Sequence, residues 1–267
     1  MNNNSEILAL FDKEQRRDVQ FYPFQPESTP HVVRHLIPDP KRGESMVIYS
    51  QLTAANAEAV IEGEIAYFES IGHNFEWKVY DHDSPPDLRQ RLLARGFQAD
   101  DPEAVLVLDL EQAPPALLEP VTLDVRQITG PAEIEAITSV QRQVWPDKNF
   151  IQWLSDELSH NLEHDAEHIG IFAAYVDDVP ASCAWIKYHT GSRFAGLWGG
   201  STLPQYRQRG LYTALVAARL QQALSRGVRF LTIDASSMSH AVLKKFGFEL
   251  LTYAHACKWQ RVNPSEK

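Results

Sequence analysis

Residues 203–215, LeuProGlnTyrArgGlnArgGlyLeuTyrThrAlaLeu, decide the reading of the chain. They join a strand-like run, FAGLWGGSTL (194–203), to the strongest helical pattern in the sequence, GLYTALVAARLQQALSRG (210–227). In that pattern Leu211 and Leu215 share one stripe, and Val216, Leu220 and Leu224 the next. A helix start leaves N–H groups unpaired and carries the positive end of the dipole, so it favours an anion. Gly210 offers no Cβ to keep a phosphate from the backbone, and Arg207 and Arg209 add charged donors. The stretch therefore suits a phosphorylated ligand. No Gly-x-x-x-x-Gly-Lys-(Ser/Thr) occurs, which argues against a P-loop nucleotide site.

Working outward, VTLDVRQI (121–128) alternates as a strand, and residues 132–144 and 149–162 carry helical spacing. Residues 168–176 and 180–189 read as strands joined by an Asp177-Asp178 turn, followed by the strand 194–203 with its Gly199-Gly200 pair. After the long helix come a buried strand (228–235), a short helix (236–247) and a closing strand (248–259).

This order and two motifs resemble the GCN5-related N-acetyltransferase (GNAT) superfamily over residues 121–260. One motif is (Arg/Gln)-x-x-Gly-x-(Gly/Ala), here Arg207-Gln208-Arg209-Gly210-Leu211-Tyr212, with Tyr212 in place of a small residue. The other is the helix ending Lys245-Phe246-Gly247-Phe248, with Leu243 where the family often has tyrosine and Ser236 where it often has asparagine. The resemblance implies a mixed, mostly antiparallel α/β sheet with splayed central strands flanked by helices. It implies acetyl-CoA as cosubstrate, held by Thr202, Leu203, Arg207, Gln208, Arg209, Gly210, Leu211, Tyr212, Thr213 and Ser236, with Trp198-Gly199-Gly200 near the thioester. Strand 194–203 carries no carboxylate, so the nearest proton handlers are Asp234, Ser236 and His240, ahead of Tyr212 and Tyr253. The implied activity is direct N-acyl transfer in a ternary complex. Missing acid and base residues also fit the alternative, a non-catalytic CoA-binding sensor or scaffold.

The first half echoes the second. Residues 54–72 read as a helix and 73–97 as strand, turn, helix and Gly-Phe. Gly96-Phe97 falls on Gly247-Phe248 at an offset of 151, which sets Asp83 against Asp234. No Arg-x-x-Gly loop precedes the helix. The expectation is a truncated GNAT-like subdomain without a cofactor site (1–112), a proline-rich linker (113–120) and an active GNAT domain (121–267). His73, Asp81, His82 and Asp83 lack a recognised ligand spacing, so no metal is expected.

Composition fits a globular protein, with 44% hydrophobic and 22% charged residues. The first 112 residues hold 10 Lys and Arg against 20 Asp and Glu, while the remainder balances at 15 and 15. That excludes the basic face of a general nucleic-acid binder and leaves the second half as the better host for a polyanion. The beginning lacks a secretory pattern, and no apolar run reaches the ~20 residues of a membrane span, so a cytoplasmic protein is expected. The resemblance implies a small-molecule or peptide amine as partner, with no nucleic acid or membrane expected and a homodimer possible.

Overall fold

A computed structural model describes residues 3–20, 23–41, 43–235 and 237–261, with side chains omitted at Asn3, Ser237 and Met238. The chain forms two compact units. The first holds residues up to Leu106, Asp234–His240 and the residues from Leu250; the second holds Val107–Ile233 and Ala241–Glu249. The closing strand and the short helix are thus shared between units rather than belonging wholly to the second.

In the first unit the elements are α1 (Asn3–Phe11), β1 (Gln25–Ser28), β2 (Val32–Leu36), β3 (Ser45–Ser50), α2 (Ala57–Ile71), β4 (Phe75–Tyr80), α3 (Leu88–Ala94) and β5 (Gln98–Ala99). The strand β6 (Glu103–Asp109) runs out of it into the second. Later elements are α4 (Pro115–Leu118), β7 (Val125–Ile128), α5 (Glu135–Val144), α6 (Lys148–His164), β8 (Ile169–Val176), β9 (Val179–Tyr188) and β10 (Phe194–Thr202). They end with α7 (Leu211–Ser225), β11 (Phe230–Ala235), α8 (Ser237–Lys245) and β12 (Glu249–Trp259). No helix among the described residues is long and apolar enough to cross a membrane.

The second unit carries strands in the order β11-β10-β9-β8-β7, antiparallel except for the parallel pair β10–β11. Asp177 and Asp178 close the β8–β9 hairpin with φ of 51° and 61°, the left-handed pair that matches strand twist in a two-residue turn. Ile137 and Val140 of α5 and Leu154 and Leu158 of α6 pack on Ile171, Cys183 and Trp185. β7 is shorter than the alternation over 121–128 suggests, because residues 121–124 remain largely exposed with no face to bury. The 113–120 segment contains α4. Pro115 stands at its first position, where a missing N–H costs nothing, Leu117 is fully buried, and Gln221 donates to the Leu117 and Glu119 carbonyls.

The first unit repeats a part of this plan. β3 and β4 are parallel over only three residue pairs, Ser45–Val47 with Phe75–Trp77, as β10 and β11 are over Phe194–Gly196 with Phe230–Thr232. β3 and β10 each carry a register shift against the preceding strand just past that point. Each pattern continues through a helix, a strand, a short helix and a Gly-Phe pair, whose glycines, Gly96 and Gly247, have φ of 89° and 82°. The core here is Trp77 with Phe68, Phe75, Ile61, Leu88 and Leu92.

Arg16 is buried in this unit beside the bulge of β3. Its Nε donates to the Ile48 carbonyl at 3.1 Å, Nη1 to Asp12 at 2.6 Å and Nη2 to both Asp83 oxygens at 2.9 Å. The guanidinium lies 3.9 Å from the Tyr80 ring centroid. Arg16→Ala would strand the buried Asp83 carboxylate, whose pKa burial already raises. Urea denaturation of that variant is expected to show a loss of about 3–5 kcal/mol, the scale of breaking a buried ion pair from one side; a loss under ~1 kcal/mol would remove the network from the fold's supports.

Candidate functional site

β10 follows β9 along its length but leaves β11 after Gly196, so its later residues have one edge without a strand in that unit. Between Trp198 and Ser201 the register slips by one residue, and Gly199 adopts φ of 63°. Glycine is required there twice over. A Cβ on Gly199 would stand 1.8 Å from the Trp185 ring, and one on Gly200 would stand 2.9 Å from Tyr212. Tyr212 thus occupies space that Gly200 vacates, which accounts for a large residue where the motif has a small one. The Trp198 indole folds over Gly196 and stays 48% exposed, an aromatic surface in a strand with no carboxylate.

The bulge is held by side chains from the helices. Gln141 of α5 is buried and donates to the Gly199 carbonyl at 2.8 Å, while the Ser201 hydroxyl donates to Gln141 Oε1 at 3.2 Å. Ser182 donates to the Ser201 carbonyl at 2.7 Å and shares a hydrogen bond with the Thr202 hydroxyl. Arg219 of α7 is fully buried and donates to the Trp185 and Trp198 carbonyls at 3.2 and 3.4 Å. Sequence reading missed both Gln141 and Arg219. For Arg219 a signal existed, a charge amid the buried positions of an apolar helix.

Past the bulge, the Leu203 N–H donates to Ala181 on the β9 side. By alternation the Thr202 N–H and C=O face away from β9, toward the open edge. The Thr202 carbonyl accepts from Arg207 Nε at 3.2 Å. A single 3-10 turn, Pro204–Tyr206, then leads to Gln208 with φ of 62° and Gly210 with φ of 79°, and α7 starts with no side chain capping it. The N–H groups of Leu211, Tyr212 and Thr213 are those a helix cannot satisfy internally. Arg207, Gln208, Arg209 and Gly210 are exposed, and Arg209 lies 5.4 Å from the Tyr206 ring centroid. Arg34, Arg91, Arg126 and Arg229 all pair with carboxylates. Among the described residues neither Arg207 nor Arg209 does.

Of the sequence-derived proton handlers, Asp234, His240 and Tyr253 fall in the first unit, whereas loop 202–213, with Tyr212, falls in the second. Asp234 pairs with Lys78 at 2.5 Å; burial alone would lower the lysine's pKa, but Asp234 holds the ammonium above its usual range. His240 is half-buried on α8, and Leu243 packs fully in the core. Ser236 lies outside the described residues.

The four residues weighed as metal ligands hold other partners. His73 contacts Ser45, Asp81 pairs with His255, His82 lies between Asp12 and Thr252, and Asp83 holds Arg16. Among the described residues, Asp165, Glu167 and His168 alone bring three donor atoms within metal-binding range, and Asp165 and His168 already bond each other at 2.5 Å.

The first unit differs at the matching places. Its bulge carbonyl, Ile48, is taken by Arg16. Its helix α2 follows Asn56, whose Oδ1 accepts from the Thr53 N–H and hydroxyl, with no arginine loop ahead of it.

Residues 132–248 match the model of the acetyltransferase (GNAT) family. No curated protein sequence matches the chain. A solved GCN5-related N-acetyltransferase from Kribbella flavida is similar with a TM-score of 0.70 and 14% identity, over 100% of this chain and 99% of that one. A functionally unknown conserved protein from Staphylococcus epidermidis gives 0.69 and 12%, over 96% and 100%. A tandem GNAT protein from the clavulanic acid biosynthesis pathway gives 0.64 and 14%, over 98% and 97%. At such identities the likeness is one of fold, and the GNAT fold spans the whole chain.

Burial pushes the Cys183 thiol up to about 12 and the Cys257 thiol up to about 11. Since the thiolate is the reacting form, a thiol reagent at pH 8 is expected to label neither in the folded protein and both after denaturation. Rapid labelling of native Cys183 would contradict this environment.

Proposed function

We propose, from the match of residues 132–248 to the acetyltransferase (GNAT) family model, that this chain is an acyl-CoA-dependent N-acyltransferase moving acetyl from acetyl-CoA to an amine. The observation that carries the reading is the unpaired Arg207 and Arg209 at the uncapped, positive start of α7, beside a strand edge left open after Gly196. A pyrophosphate fits that charge and those N–H donors. The Thr202 backbone facing the open edge offers an amide partner for an extended pantetheine arm.

Within this reading the amine nitrogen attacks the thioester carbon, forming the C–N bond as the carbonyl electron pair moves to oxygen. Return of that pair breaks the C–S bond, and the thiolate takes up the proton that the nitrogen sheds. Alignment supplies much of the rate in such a reaction. The acetyl group passes directly, because both cysteines are buried and held as thiols.

One cofactor is expected per chain. Arg16 already fills the bulge of β3, and Asn56 and Thr53 close the turn at α2. Calorimetry should therefore find a single saturable CoA site. Gly210→Val should abolish it, since a branched residue resists φ of 79° and places methyl groups at the phosphate position. Two sites, or unchanged affinity in the folded variant, would overturn the assignment. CoA release over a panel of amines separates an enzyme from a binding protein.

Asp234→Asn and His240→Ala address proton transfer. Each is expected to lower turnover by less than the ~100-fold that marks a lost general acid or base. A larger fall with CoA affinity intact would make that residue catalytic.

A further inference from the structure

The exposed aromatic rings of this chain gather in one region. Among the described residues every exposed Trp and Phe, namely Trp145, Phe150, Trp153 and Trp198, belongs to the second unit, while Trp77, Trp185 and Trp259 are buried. Trp145 ends α5, where its N–H donates to the carbonyl of Gln141, the residue whose side chain holds the Gly199 carbonyl. With Pro146 and Asp147 it lines an open hollow. Phe150 and Trp153 lie near the start of α6, with ring centroids 5.9 Å apart and planes 30° apart.

Strand register sets Trp198 beside these rings. Trp198 stands opposite Trp185 and Gly196 opposite Lys187, so Trp198 shares the face on which Trp185 packs with α5 and α6. On that face Lys187 pairs with Glu157 of α6 at 2.5 Å. α6 leads through a short turn into β8, which starts at Ile169, opposite Lys187. Going back along α6 from Glu157 to Trp153 therefore runs the same way as going along β10 from Gly196 to Trp198. The two steps are equal in length, about 6 Å for four helical residues and about 6.6 Å for two strand residues. Phe150 and Trp153 thus flank the approach to Trp198-Gly199-Gly200.

This approach offers aromatic surface and little free charge. Each carboxylate of α6 and its cap is engaged: Asp147 with the Asn149 and Phe150 N–H groups, Asp156 with Gln152, Glu157 with Lys187 and Glu163 with His164. β10 carries none. A substrate with several ammonium groups would need free carboxylates here, whereas a flat apolar body gains from stacking on indole. Large aromatic surface left in water marks a binding site.

We propose that the acceptor is a monoamine on a flat aromatic body, an arylalkylamine. Phe150, Trp153 and Trp198 select it by stacking on that body while its nitrogen reaches the thioester beside Gly199. This rests on the acyl-CoA reading above.

The test is calorimetry on the full chain saturated with CoA, using 2-phenylethylamine, its saturated counterpart 2-cyclohexylethylamine, and spermidine. CoA release from acetyl-CoA is followed with the same amines. 2-Phenylethylamine is expected to bind roughly threefold tighter than the cyclohexyl amine, on the scale of an aromatic pair, and to show the highest kcat/KM. Trp153→Ala should weaken it about fivefold and raise KM more than it lowers kcat, with CoA affinity unchanged. Trp153→Phe should restore most of the loss, which a purely structural role would not require. If Trp153→Ala does not fold, Phe150→Leu carries the comparison. No binding of 2-phenylethylamine, a higher kcat/KM with spermidine, or equal affinities in every folded variant would overturn the proposal and leave the acyl-CoA reading intact. So would a dimer in sedimentation that Trp153→Ala or Phe150→Leu disperses, since the rings would then cover a second copy. Absence of acetyl-CoA binding by the natural protein would overturn both.

Discussion

The parting of β10 from β11 after Gly196 is the constraint on which the candidate site of the second unit depends. Two parallel strands that stop pairing after three residues leave backbone groups that a buried sheet would otherwise satisfy. The sequence meets that demand in three ways. A bulge at Gly199-Gly200 redirects the strand, Gln141 and Arg219 hold its carbonyls, and Thr202 keeps its backbone turned to the open edge. The glycines are fixed by contact with Trp185 and Tyr212, so a change at one of these positions acts on the others. The uncapped helix and two arginines without an ion pair among the described residues complete the groups on which the proposed reading rests.

The first unit shows the same constraint with a different answer. β3 parts from β4 after the same number of residue pairs and bulges at the next residues, but Arg16 comes in from the segment after α1 and bonds the Ile48 carbonyl. Asp12 and Asp83 neutralise it. Arg16 is thus paired with carboxylates, whereas among the described residues Arg219, buried in the second unit, and the exposed Arg207 and Arg209 have none. A tandem arrangement in which one unit has closed its notch with its own side chains accounts for both.

Much of this was legible in local patterns. The helical period at 210–227, the strand before it and the glycine between them fix the loop, because each signal lies within a few residues of the next. Gly96-Phe97 and Gly247-Phe248 revealed the repeat, since a positive φ after a short helix selects glycine. The long-range contacts were not legible. Gln141 meets Gly199 across 58 residues and Arg16 meets Asp83 across 67, and such pairs leave no trace in spacing. The sequence places Asp83 only by its offset from Asp234 and sets Leu224 on an apolar stripe, yet Asp83 anchors an arginine and Leu224 is 38% exposed. Those outcomes follow from which elements pack above each residue, which periodicity does not specify.

The central claim is that one notch accepts CoA while the other is filled by the protein itself. Amide chemical shifts of the natural protein, followed as CoA is added, test it most directly. Shifts concentrated at Gly199–Thr202 and Gly210–Thr213, with Val47–Ala57 unmoved, are the predicted result. Changes of similar size at Ile48 and Asn56, or a spectrum that CoA leaves unaltered, would contradict it.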